Sequence, residues 1–352
     1  MTEPTAPPGR LDVYGWLADR DGCGTIRIIT PLTTLRTQGH TAGWSERIDT
    51  NQLPTRALIG QRICKDGPTQ GWHDIAKTFG RPKLIYEVDD NLWDVDYRSA
   101  KAHEFFNEPG VVDNLNKNIR IADAVTVTTD PLADLIRPHN PNVHVIPNYL
   151  PDWLLHHQRP RQEGKVVIGW GGSQTHDMDL AEAAPQLRRY LNRAPAHVEL
   201  HVMGEPKPPP RRRGVIRPHT PWTERHMIPE DRVRWTSWNK SVADYWRAID
   251  YDIMLAPLRP HPFNRSKSPL RPLEAAMLGI PVIATDYGPY AEFVDHGVTG
   301  LLAKNDHDWG RHLRALVEDD AMRTEMGANA RAKAAAWTIE ANVGDWQKVL
   351  LG

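Results

Sequence analysis

The sequence predicts an α/β chain of two similar halves, each built from buried strands alternating with helices. Three observations carry that expectation. Short apolar runs such as those at 83–90, 165–169 and 253–258 alternate with segments of helical period. A Gly-rich turn follows the first strand-like run of each half, at 19–24 and again at 169–173. The 352 residues are enough for two domains of ordinary size.

Composition narrows the function classes. The net charge of -1, with 25% charged residues, leaves no global field to draw in nucleic acid or an acidic membrane. Cys23 and Cys64 are the only cysteines, too few for a disulfide framework and in keeping with a reducing, cytoplasmic address. No run approaches the ~20 apolar residues of a membrane span, so no integral membrane segment is expected. The first ten residues, rich in Pro, read as a disordered lead without a signal core. Thirteen Trp are expected mostly in the cores.

The first half opens with a strand at Leu11–Ala18, the turn Asp19-Arg-Asp-Gly-Cys-Gly24, and an amphipathic helix from Thr25 to about Gln38. Strand, Gly turn and helix make a Rossmann-like opening. The turn lacks the full dinucleotide fingerprint, and no acidic residue stands clearly at the end of the next strand, which argues against NAD. Gly24 on its own can serve simply as the residue that permits a tight turn. A strand is expected at 57–63, a helix near 70–79, and the strongest strand of this half at 83–90. Its carboxyl end presents Asp89 and Asp90. Paired carboxylates fit a metal site or a helix cap. A strand at 122–129 and another at 143–148 close the half, and 151–164 reads as the hinge.

The second half, 165–336, opens with a buried strand that ends in Gly171, Gly172 and Ser173. Their backbone N–H groups are candidates for cradling phosphate. A helix at 180–191, a strand at 197–203, and a Pro- and Arg-rich stretch at 204–222 follow. That stretch reads as a solvated basic loop, with contact to a nucleic acid backbone as the rival reading. A strand at 232–238 carries Trp235, Ser237 and Trp238. Helices are expected at 305–318 and 321–336, and a last one at 337–350.

Residues 252–302 hold the densest information. A buried strand at 253–258 leads through a polar loop into a helix from about Pro269 to Leu278. Gly279 ends that helix, and Pro281-Val-Ile-Ala284 starts the next strand. Within the loop, Arg265, Ser266, Lys267 and Ser268 gather two cations and two hydroxyls just ahead of a helix N-terminus, an anion-binding arrangement. An exposed basic loop is the plain alternative.

This stretch resembles the donor-sugar motif of the retaining glycosyltransferases of family four. Glu274 matches the second Glu of their paired-Glu motif. Gly279, Pro281, Val282, Ile283 and Ala284 follow in register, with Gly288-Pro289 and His296-Gly-Val-Thr-Gly300 after them. The first Glu is missing, because Ser266 stands at its place. The wording Asn264-Arg-Ser-Lys-Ser-Pro-Leu-Arg-Pro-Leu-Glu274 is similar to a subgroup with a Lys-Ser pair there. The likeness weakens toward the N-terminus.

The resemblance implies a GT-B fold: two Rossmann-like domains facing across a cleft, at 11–150 and 165–336. The last helix, within 337–352, crosses back onto the first domain. It implies retaining transfer of a sugar from a nucleotide-diphosphate sugar, UDP- or GDP-linked, to a hydroxyl, with no metal and no other cofactor. Glu274 would bind the donor ribose. Ser266 to Leu270, with Pro269, would face sugar and diphosphate, and Lys267 with Arg265 or Arg271 would neutralise the phosphates. That charge replaces the Arg and Lys of ordinary members, where Trp170 and Thr175 stand. Asp89 occupies roughly the place of a family His beside the reacting sugar, where it would orient an acceptor hydroxyl or take its proton. Gly22, Gly24, Arg27 and Asp90 would face the cleft, and Trp235, Ser237 and Trp238 would lie near the base. The acceptor stays open among polysaccharide, lipid, protein and modified DNA, as does the oligomeric state. A nucleotide-sugar epimerase and a non-catalytic sugar-nucleotide-binding module remain as rival functions.

Overall fold

The computed structural model describes residues 11–48, 55–172, 177–204, 222–237 and 241–352, apart from the Asp177 side chain. Ser173, Thr175, Trp238 and nearly all of the Pro- and Arg-rich stretch at 204–222 therefore lie outside the described residues. The chain divides into two compact units, one of residues 1–152, 262–268 and 336–352, the other of 153–261 and 269–335.

The first unit holds a six-stranded sheet of β1 (Leu11–Trp16), β2 (Ala42–Ser45), β3 (Thr55–Gln61), β4 (Lys83–Glu87), β5 (Ala124–Val127) and β6 (Val143–Val145). The strand order is β2-β1-β3-β4-β5-β6, and every pair is parallel. Parallel strands covered by helices on both faces must be apolar on both, and successive residues supply the two faces alternately. Leu58, Leu84 and Tyr86 pack on one side with Trp72, Leu115 and Ile119. Ala57, Ile59 and Ile85 pack on the other with Leu32, Leu35, Val343 and Trp346. The C-terminal helix Ile339–Leu351 thus belongs to the first unit's core, as its apolar spacing requires. Its N-cap Thr338 accepts a hydrogen bond from the Ala341 N–H at 3.3 Å.

The first helix starts earlier than its sequence pattern suggests. Gly22–Gly24, a π-helical turn at Thr25–Ile29 and Thr30–Thr37 follow one another without a break. Gly24 is required by close approach, because a Cβ there would lie 1.8 Å from the Asp19 carbonyl oxygen. Nothing lies within 4 Å of a Cβ placed on Gly22.

The second unit repeats the architecture with β7 (Val166–Gly171), β8 (Val198–Met203), β9 (Val233–Thr236), β10 (Ile253–Ala256), β11 (Val282–Thr285) and β12 (Gly300–Ala303). The order is β12-β11-β10-β7-β8-β9, again all parallel. Its core joins Ile168, Leu200, Val202, Leu255 and Ile283 to Leu187, Leu313 and Leu316 of the covering helices.

Two expected boundaries change. Residues 153–164, read as a hinge, belong to the second unit: they contain the short helix Trp153–His156, and Gln162 donates to Asp250 at 3.0 Å. Conversely, 262–268, read as part of the second domain, are compact with the first unit, where Thr129 and Asn148 hold them.

Candidate functional site

Strand order locates the first group of polar residues. The chain leaves β1 to form β2 on one side and returns to form β3 on the other, so the loops after β1 and β3 diverge at a topological switch point. Ligands of doubly wound sheets sit off the carboxyl ends of strands at such points. Cys23 follows β1, Arg62 follows β3, and Asp89 and Asp90 follow β4. Arg62 joins them. Its guanidinium is paired with Asp89, donates to Asp90 Oδ2 at 3.1 Å and approaches Cys23 Sγ at 3.3 Å. Arg62 holds φ at +49°, a left-handed conformation that a non-glycine residue takes at a cost of about 1–3 kcal/mol. Burial pushes the Cys23 thiol well above its ordinary range, so it stands as a neutral thiol beside this ion group.

Asp89 is buried and carries two constraints. Arg62 takes its carboxylate, and its backbone carbonyl accepts from Thr128 Oγ1 at 3.0 Å. Its side chain is therefore engaged by Arg62 within the first unit. Asp90 lies between two cations: Lys267 Nζ is 3.5 Å from its Oδ1, on the side away from Arg62. The same ammonium sits 4.6 Å over the Phe263 ring. Two cations thus face two carboxylates, and the group is neutral as a whole. Among the described residues no three His, Cys, Asp or Glu side chains are placed together to hold a metal ion.

The loop carrying Lys267 is fastened at both ends. Ser266 is buried, and its carbonyl accepts from Thr129 Oγ1 at 2.8 Å. Ser268 Oγ accepts from Asn148 Nδ2 at 2.7 Å. Arg265 closes the short helix Pro262–Arg265 and points into solvent. Within this unit the loop therefore presents one restrained cation, Lys267, and one exposed cation, Arg265.

Arg27 does not face outward as expected. It is 1% exposed, donates to Glu87 Oε1 at 2.5 Å and to the Ile146 carbonyl at 2.6 Å, and lies 4.8 Å over the Trp346 ring. The helical turn after Gly24 points it back onto the sheet, where it is a structural charge. Gln61, Glu87 and Thr126 lie side by side in register across β3, β4 and β5 beneath it. Gln61 Nε2, Glu87 Oε2 and Thr126 Oγ1 are all buried without a hydrogen-bond partner. Burial raises the Glu87 carboxyl to about 7, against the pull of Arg27.

In the second unit the switch point lies between β7 and β10. Helix Leu270–Met277 begins after β10 and places Arg271, Leu270 and Glu274 on its first turns behind Pro269. Glu274 is 2% exposed. Its Oε1 accepts from Trp246 Nε1 at 2.8 Å, and its Oε2 accepts from Arg271 Nη1 at 2.6 Å. The same nitrogen of Arg271 donates to the Tyr245 hydroxyl at 3.0 Å, and the Arg271 side chain stays one quarter exposed. Burial pulls its pKa down, but the Glu274 carboxylate together with the Tyr245 hydroxyl pushes it further up. Trp246, Tyr245 and Arg271 form the frame that holds this carboxylate.

The glycines after β7 play a different part from the one expected. The Gly172 N–H donates to the Met203 carbonyl at 3.1 Å, so it extends the sheet and is not available to a phosphate. Gly171 is required by packing, because a Cβ there would lie 2.3 Å from the Tyr245 hydroxyl. Trp170, at a position where the resemblance places a cation, is core and meets the Trp222 ring edge-on at 6.0 Å. Trp235 packs partly against the same core, while Ser237 is exposed beyond β9.

Sequence reasoning missed Arg62, Trp246, Tyr245, Thr129 and Asn148 as parts of these groups. Arg62 has a usable signal, a cation immediately after a buried strand. The others act through contacts between residues distant in sequence, and no local pattern marks them.

Comparison with known proteins gives the geometry a context. A family described as "Glycosyl transferases group 1" matches residues 168–319. A D-inositol 3-phosphate glycosyltransferase of Pseudarthrobacter chlorophenolicus is 36% identical over 106 residues, which make up 29% of this chain and 24% of that protein. The chain spans about a quarter of the length of the curated relatives it matches. The structure of a sucrose-phosphate synthase from Thermosynechococcus elongatus superposes with a TM-score of 0.66 at 14% identity, over 97% of this chain and 98% of that one. An Anabaena HepE structure, in complex with UDP and glucose, gives 0.63 at 14% identity, over 96% and 98%. The fold is GT-B, as the resemblance implied.

Proposed function

We propose that the protein is a glycosyltransferase that moves a sugar from a nucleotide-diphosphate sugar to a hydroxyl acceptor, with retention at the anomeric carbon and without a metal ion. The observation that carries this reading is the buried Glu274 carboxylate. It is held by Trp246 and Arg271 at the start of the helix after β10, within the stretch that matches group 1 glycosyl transferases. A nucleoside diphosphate leaves with growing negative charge, and cations already fixed in place stabilise that charge at no reorganisation cost. In this reading Arg271 and Lys267 supply the charge. Arg271 is anchored by Glu274 and Tyr245, and Lys267 is restrained by Asp90 and Phe263.

UDP is the first donor nucleotide to test, since the HepE structure holds UDP, with GDP as the second. The acceptor class, polysaccharide, lipid, protein or modified DNA base, is read from the product. Asp89 and Arg62 act in this reading as a paired group that positions Asp90.

The test is donor screening by hydrolysis with UDP- and GDP-sugars, then intact-mass analysis of co-expressed protein, lipid and DNA for a sugar-sized addition. Lys267→Ala is expected to lower turnover roughly 10²-fold, the scale of losing one stabilising donor. Unchanged turnover and donor affinity in that variant would remove Lys267 from the mechanism. Release of an epimerised donor with no transfer to any acceptor would replace transfer by epimerisation. Donor binding with neither outcome would leave a binding module.

A further inference from the structure

The second unit contains a cavity of about 640 Å³ at the end of its sheet opposite the Gly171 turn. It borders Asp252 just before β10 and Pro281 just before β11, so it lies at the amino ends of those strands. Helix Leu270–Met277 connects the two regions: Arg271 stands on its first turn, and Gly279 beyond its last turn lines the cavity. Four guanidinium groups line the cavity, Arg159, Arg161, Arg323 and Arg331, against the carboxylates of Asp252 and Asp320.

These cations are incompletely matched. The Arg159 side chain is 9% exposed and pairs with the Tyr251 carbonyl, with Asp252 at 3.8 Å. Arg331 donates from Nη2 to the Leu278 carbonyl at 2.8 Å, but its Nε is buried and has no hydrogen-bond partner. Arg323 is satisfied, by the Leu316 carbonyl at 2.6 Å and by Asp320. Arg161 is exposed, and no hydrogen bond or ion pair ties it down among the described residues. Burial, with Arg161 and Arg331 adding to it, pushes Arg159 down to about 10. Like charges that line one cavity are tolerated most easily when an anion sits among them. The volume falls in the range of small-ligand pockets, ~300–1,000 Å³. Guanidinium groups suit phosphate in particular, because their paired N–H donors match its oxygens.

We propose that this cavity binds a phosphate-bearing anion of at least two charges through Arg159, Arg161 and Arg331, at a site separate from the Glu274 group. Gly279 makes the approach possible. It holds φ at +64°, and a Cβ there would lie 2.8 Å from Arg331 Nη2, displacing the guanidinium that faces the cavity. An anion seated there would bridge the segment 153–164 to helix Asp320–Ala334 and would stabilise the second unit by mass action.

The test is calorimetric titration of the full chain with inorganic pyrophosphate. Arg161→Glu and Arg331→Gln are each expected to remove one binding event or weaken it at least tenfold. Arg189→Glu makes the same charge change at another exposed position of the second unit and is expected to leave binding intact. Because Arg161 has no structural partner among the described residues, its variant keeps the test valid if Arg331→Gln folds poorly. Co-sedimentation with phosphatidylcholine vesicles, with and without phosphatidic acid, whose phosphomonoester reaches two charges, separates the two sources of such an anion. Arg161-dependent pelleting places the phosphate on a lipid surface; pyrophosphate binding without pelleting makes the ligand a soluble one. If neither probe responds to Arg161→Glu, or if Arg189→Glu weakens binding equally, the proposal is overturned. The outcome does not depend on whether the Glu274 group binds a nucleotide sugar.

Discussion

Arg271 Nη1 lies 2.6 Å from Glu274 Oε2, one turn apart on the helix that follows β10, with the Glu274 side chain buried and the Arg271 side chain one quarter exposed. The pair is asymmetric. Glu274 depends on Arg271 and Trp246 for its charge to be tolerated inside the unit, whereas Arg271 keeps part of its side chain in solvent.

That asymmetry makes a prediction about stability. Removing Arg271 alone leaves a buried carboxylate with Trp246 as its remaining polar partner, and breaking a buried pair in this way costs about 3–5 kcal/mol. Replacing both partners by apolar side chains avoids the stranded charge. Urea unfolding should therefore show Arg271→Leu to be less stable than the double variant Arg271→Leu, Glu274→Leu. If the double variant is the less stable of the two, the carboxylate is not held in the way described.

A second expectation concerns pH. Burial lifts the Glu87 carboxyl from 4.5 to about 7 in the folded chain, so between those values the folded state holds a proton that the unfolded chain has released. The stability contributed by this group is complete below pH 4.5 and is lost as pH rises toward 7. Glu87→Gln should flatten that part of the stability-pH profile, measured by denaturant midpoints at several pH values. A profile that keeps its slope would show that Arg27 holds Glu87 ionised throughout.

Arg62 combines a strained backbone with a useful side chain, and two substitutions separate these effects. Both Arg62→Ala and Arg62→Gly lose the contacts to Asp89, Asp90 and Cys23, but only Ala retains the penalty of φ near +49°. Arg62→Gly should be the more stable by about 1 kcal/mol, since a left-handed residue with a Cβ costs about 1–2 kcal/mol. Thermal unfolding of the two variants measures this directly. Equal stability would mean that the backbone relaxes once the ion group is gone.

Much of the architecture was legible because it rests on local pattern. Buried parallel strands need apolar residues on both faces, so the runs containing Leu84–Tyr86, Val166–Ile168 and Ile253–Leu255 identify themselves. Gly279 and Pro281 end one element and start the next through their own backbone restrictions. Short elements were harder. Strands β2 and β12 have four residues each, and helix Ala100–Phe106 has seven with none buried, so these segments carry little periodic signal. Helix Val111–Ile121 does carry a stripe, Val111, Leu115 and Ile119, that the sequence reading passes over.

The sequence by itself determined the two α/β halves, the position of Glu274 ahead of Gly279 and Pro281, and the clustering of cations beside it. Each follows from neighbours along the chain. Only the tertiary structure decided what those charges touch. It turned Arg27 inward onto Glu87, tied Asp89 to Arg62 and set Lys267 beside Asp90. It also gave the Gly172 N–H to the sheet and Glu274 to Trp246. The physical reason is common to all five: buried polar groups must find partners, and those partners come from strands and loops that only folding brings together.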